Sequence, residues 1–103
     1  MDAPVACSLE PAAARAQLDE WQALFVVHAV RVERPEPTQL VVRLRSDSGV
    51  LPKLVELTKR EAACCPFFEF SMTVDPDVLT LSIGVPADAQ PVLDELAALV
   101  ARP

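Results

Sequence analysis

Residues 68–85 read FEFSMTVDPDVLTLSIGV. Phe68, Phe70, Met72 and Val74 alternate with Glu69, Ser71 and Thr73. Asp75-Pro76-Asp77 supplies turn residues, and Leu79, Leu81, Ile83 and Val85 then alternate with Thr80, Ser82 and Gly84. A period of two on both sides of a tight turn predicts an antiparallel hairpin with one buried face. Upstream of it stands Pro66, which biases the preceding residue away from helix and so ends whatever helix comes before. That helix runs to about Ala63 from a capped loop, Ser46-Asp47-Ser48-Gly49. Pro52 is tolerated in its first turn. Leu51, Leu54, Val55 and Thr58 form its inward side, with Lys53, Glu56, Lys59 and Arg60 mostly outside.

Further out, Ala14, Leu18, Trp21, Phe25 and His28 follow one another at steps of four, three, four and three. This spacing predicts an amphipathic helix from Pro11 to about Val27, with Arg15, Asp19 and Gln22 on its far side. Two alternating runs follow, His28–Arg34 and Gln39–Arg45, separated by Pro35-Glu36-Pro37. They read as a second hairpin, with Val30 and Val32 on one side and Leu40, Val42 and Leu44 inside. After the 68–85 hairpin, Asp88 caps a last helix that turns Val92, Leu93, Leu96, Leu99 and Val100 inward. The order is α-β-β-α-β-β-α. The expected fold is therefore one α+β domain over residues 1–103, a two-layer sandwich with a four-stranded, mostly antiparallel sheet and its helices on one face.

Composition narrows the function. The 103 residues are 51% apolar, enough for a core, and carry a formal charge of −6. An acidic chain lacks the basic face that nucleic acid requires. No uncharged apolar run is long enough to span a bilayer, and the first eleven residues lack the basic and apolar regions of a signal peptide. Two glycines leave no phosphate cradle of the glycine-rich kind. Three cysteines, an odd number, suit free thiols in a reducing cytoplasm better than a disulfide framework. Residues 41–63 reverse the overall sign through Arg43, Arg45, Lys53, Lys59 and Arg60. These form either a solvated face or a docking patch for an acidic partner.

The chemistry rests on sulfur. Cys64 and Cys65 are adjacent at the end of the second helix, and Glu61 lies three and four positions earlier, on their side of it. Cys7 precedes the first helix and joins them if that helix packs across the second through Leu18 and Trp21. Three thiolates suit a soft ion in trigonal coordination, and Glu61 or His28 would complete a tetrahedral zinc site. The same sulfurs could instead exchange disulfides. However, a helix C-terminus is the negative end of the dipole and disfavours the thiolate, which tips the reading towards ion binding. Plainer roles stand beside each of these. Buried cysteine packs as a small hydrophobe, Glu61 could pair with Arg60 or Lys59, and His28 could close a helix end. Trp21, Phe25, Phe67, Phe68 and Phe70 read as core. A lone histidine supports no catalytic triad, and no catalytic or organic-cofactor residue emerges.

The segment Glu61-Ala62-Ala63-Cys64-Cys65-Pro66-Phe67-Phe68-Glu69-Phe70, together with Cys7-Ser8-Leu9, Leu18-Asp19-Glu20-Trp21 and the Pro-Ala-Asp lead into the last helix, resembles a family of small bacterial proteins. Its members occur alone or fused to MerR-type metal-responsive regulators, in settings of mercury and other heavy-metal resistance. The resemblance implies handling of a soft metal or metalloid ion such as zinc or mercury, with Cys7, Cys64 and Cys65 as the matching thiols and Glu61 as the matching carboxylate. No helix-turn-helix precedes the domain, so the expectation is a stand-alone binding module rather than a DNA-binding regulator. Its partners would be the ion, with a second copy or a regulator as protein partner. The alternatives carried forward are a thiol-dependent redox protein or enzyme and an interaction domain with structural cysteines.

Overall fold

The structure, a computed structural model, describes the backbone of residues 11–101 and the side chains of residues 16–63 and 65–99. Helix α1 (Pro11–His28) leads into strands β1 (Ala29–Glu36) and β2 (Gln39–Arg45). Helix α2 (Val50–Cys64) precedes β3 (Glu69–Val74) and β4 (Val78–Gly84), and a 3-10 turn at Ala87–Ala89 opens α3 (Gln90–Ala101). The four strands form one open antiparallel sheet in the order β1-β2-β4-β3. The α+β two-layer order expected from the sequence is the one observed. The sheet's centre is the β2–β4 pair, which joins the two hairpins.

The core lies against one face of that sheet. Leu40, Val42 and Leu44 of β2 and Leu79, Leu81 and Ile83 of β4 are buried there against Trp21, Phe25, Leu54, Leu57, Leu93 and Leu96 from the helices. Their alternation with Val41, Arg43, Thr80 and Ser82 puts the polar set on the opposite face. A shallow depression lies at the end of that face, lined by Gln39, Glu69, Ser71, Ser82 and Gly84. Arg34 ties β1 to α3 through a 2.6 Å bond to Asp94.

Several local expectations need correction. Val30 and Val32 are exposed, at 52% and 38%. The β1–β2 register breaks between Ala29 and Arg31, at Val30. Val32 stands beside Val42 on the core face, but β1 is the outer strand and is thinly covered there. Strand β1 also continues through Pro35 to Glu36, which an edge strand permits because one side of it makes no ladder bonds. On α2 the inward residues are Val50, Leu54, Leu57 and Thr58, while Val55 is exposed. The start of α2 is shaped by Gly49 at φ +86°, a conformation glycine reaches at no steric cost, and no side chain caps it. Asp88 likewise caps nothing: it sits inside the 3-10 turn, whose N-cap is Pro86. Ala14, Arg15 and Val100, assigned to helix faces from the sequence, have side chains outside the described set.

Candidate functional site

The site is built where α1 crosses the end of α2. Trp21 is wholly buried, and four residues before it Gln17 is 8% exposed, so both lie on the inner stripe of α1. Opposite them on α2 is Glu61, 7% exposed. The Trp21 indole Nε1–H donates to Glu61 Oε1 at 2.8 Å, and Gln17 Nε2 donates to the same oxygen at 2.9 Å. Burying a carboxylate is costly unless hydrogen bonds replace its lost water, and these two neutral donors supply them.

One turn further on, the Cys65 backbone N–H donates to the Glu61 carbonyl at 2.7 Å and closes the helix. The Cys65 side chain is fully buried in the hydrophobic core. The chain then turns, with Phe68 N–H bonded to the Cys65 carbonyl at 3.2 Å. Aromatic rings carry this turn back to the helix crossing: Phe67 to Phe68 at 4.9 Å, Phe68 to Phe70 at 5.4 Å, and Phe70 stacked on Trp21 at 6.2 Å. The same indole therefore fixes Glu61 by its N–H and the segment after Cys65 by its ring.

Glu61 and Cys65 are thus joined through their backbones at the end of α2, while the Glu61 carboxylate meets Trp21 and Gln17. Cys7 lies outside the described residues, as does the side chain of Cys64, which is the last residue of α2. Cys65 is disulfide-bonded. The expectation of free thiols is corrected at that residue. Among the described residues, no group of three or more His, Cys, Asp or Glu stands in a metal-holding arrangement.

His28 does not belong to the site. Its Nδ1 lies 3.5 Å from Asp47 Oδ2 without a hydrogen bond, before the first turn of α2. The 15 residues of α2 separate that point from Cys65 by about 22 Å. The alternative in which Glu61 pairs with Arg60 or Lys59 is not seen among the described residues. Arg60 bonds both oxygens of Glu20, at 2.8 and 2.7 Å, and Lys53 adds a third contact at 2.9 Å. Arg60 first and Lys53 second pull the Glu20 carboxyl from its ordinary 4.5 down to about 2. Three of the five residues of the basic surplus of 41–63 make ion pairs with acidic residues of this chain. Lys53 and Arg60 are engaged by Glu20 on the helices, while Arg43 meets Glu33 at 3.2 Å on the sheet.

Gln17 is the site residue that sequence reasoning missed. The available signal was an amide four residues before Trp21 on a stripe otherwise apolar. No family model, curated protein or solved structure matches the chain. Among the described residues no helix is long and apolar enough to cross a membrane.

Proposed function

We propose that this chain is a thiolate-based binding module for a soft metal or metalloid ion. Cys65, Cys64 and Cys7 are the donors in the reduced state, and Glu61 is the carboxylate beside them. The observation that supports this most is Glu61 itself. A residue needed only for packing would be leucine, yet the chain keeps an ionisable group at 7% exposure, four residues before a buried cysteine, and spends an indole and an amide on holding it. Soft ions bind thiolates, and a nearby carboxylate adds a harder fourth ligand of the kind zinc accepts.

The disulfide at Cys65 adds a condition to this reading. A disulfide sulfur is a poor ligand, so loading follows reduction. Two small-molecule thiols deliver two electrons and two protons to the S–S bond and leave as their own disulfide. The two protein thiols then release their protons as the ion binds. The reading therefore calls for a reducing compartment such as the cytoplasm, and the role it proposes there is heavy-metal resistance or sensing. The same disulfide favours a second reading, a dithiol–disulfide exchange protein in which reduction is itself the function.

Titration of the fully reduced protein with Zn²⁺ and Hg²⁺ separates the two. Ion binding predicts one ion per chain, with affinity falling at least a hundredfold in the Cys7→Ser/Cys64→Ser/Cys65→Ser protein. Equal affinity in that variant ends the binding proposal. Turnover of a disulfide substrate by the metal-free protein, lost in the same variant, would establish the exchange reading instead.

A further inference from the structure

The two outer strands of the sheet differ in how they are guarded. Strand β1 has register breaks after Ala29 and Glu33, carries Pro35, presents Arg31, Glu33 and Arg34, and is tied to α3 by Arg34. These are the devices that keep an edge from pairing with another chain. Strand β3, Glu69–Val74, has only one charged residue, Glu69 at its start, and none of the other devices. It pairs in unbroken register with β4, contains no proline, lysine or arginine, and among the described residues its outer side is unpaired. Val74 on it is 60% exposed.

The sequence of β3 is complementary to itself. Phe70, Met72 and Val74 stand beside Ile83, Leu81 and Leu79 on the core face, and Glu69, Ser71 and Thr73 stand beside Gly84, Ser82 and Thr80 on the polar face. A two-fold pairing must keep each face with its own kind, which excludes registers that set Phe70 against Thr73. Two long registers remain. Centring on Met72 sets Glu69 against Asp75 of the second copy, a like-charge pair. Centring on Ser71 sets Phe70 against Met72 and Glu69 against Thr73, with no like charges opposed.

We propose that the outer edge of β3 binds β3 of a second copy of this chain, antiparallel, in the register centred on Ser71. The result is a continuous eight-stranded sheet whose polar faces join and whose core faces run on through Phe70 and Met72. The contact is a single strand pair and so lies at the small end of specific interfaces, which makes the dimer weak and concentration-dependent. This inference is independent of the thiol chemistry.

The register has a charge signature that can be read on the exposed, open-face position Thr73. By symmetry the pair Glu69–Thr73 occurs twice. Thr73→Glu should weaken dimerisation by about tenfold, Thr73→Lys should tighten it by a similar factor, and Glu69→Lys/Thr73→Glu should restore it. Sedimentation equilibrium over the micromolar to millimolar range reads the dissociation constant, and circular dichroism confirms that each variant folds. The expected result is a wild-type dimer with that order of affinities. A monomer at every concentration overturns the proposal, and so does a dimer indifferent to all three variants. Strong protection from hydrogen exchange, in dilute monomer, of the outward-pointing β3 amides that are not bonded to β4 also overturns it, because another part of the chain then covers the edge.

Discussion

Two carboxylates join α1 to α2, and they do so by opposite means. Glu20 of α1 is about one-third exposed and is held by two cations of α2, Arg60 and Lys53. Glu61 of α2 is buried and is held by two neutral donors of α1, Trp21 and Gln17. The first arrangement uses charge where water and salt screen it, and so contributes little to stability. The second uses hydrogen bonds between buried groups, where losing a partner costs more than it does at the surface. Only the second lies one helical turn from Cys65. The contrast separates a surface clasp from a built site.

The largest expected effect comes from removing the residue both halves of the site share. Trp21→Ala deletes a fully buried ring and the Glu61 donor together, and should lower unfolding stability by about 3–5 kcal/mol in urea titration followed by circular dichroism. Next is Glu61→Ala, which strands two buried donors and should cost about 2–4 kcal/mol. Glu61→Gln keeps an accepting oxygen and should cost roughly half as much. If the two substitutions at Glu61 prove equally harmless, the buried end is no different from the exposed one.

The clasp should respond less. Glu20→Gln should shift the urea midpoint by a fraction of the Glu61→Ala shift, and 1 M salt should erase the difference from wild type. The smallest effect is the pH dependence of that difference. The Glu20 carboxyl is depressed from 4.5 to about 2 in the folded chain, so its contribution is complete above about 4.5 and disappears as the pH falls towards 2. Urea midpoints of wild type and Glu20→Gln should therefore differ at pH 6, draw together as the pH falls below about 4.5, and converge only once it has passed about 2. A gap that widens on acidification would reverse the sign and refute the clasp.

Legibility in the sequence followed the same divide between local pattern and distant contact. Strands β2 and β4 announce themselves because every second residue from Leu40 to Leu44 and from Leu79 to Ile83 is apolar, and one face of each is buried. Strand β1 misleads because alternation does not say how much covers a strand: Val32 stands beside the buried Val42 on the core face, yet on this outer strand it stays 38% exposed, and the register break between Ala29 and Arg31 is invisible in composition. Glu61 beside Cys65 was legible from helical spacing alone. That Trp21 and Gln17 would hold Glu61 was not, because it depends on how α1 lies across α2, forty residues away. The preference of Arg60 for Glu20 over Glu61 has the same origin, since it requires the neighbouring helix. Odd cysteine number argued for free thiols, yet three cysteines also allow one disulfide, and Cys65 is in one.

X-ray absorption of the reduced chain loaded with one equivalent of Zn²⁺ reads the proposed ligands without intermediaries. The account predicts two or three sulfur neighbours at about 2.3 Å with one lighter ligand, and loss of the sulfur shell when Cys64 and Cys65 are both changed to serine. A first shell of oxygen and nitrogen alone, identical in wild type and variant, would contradict it.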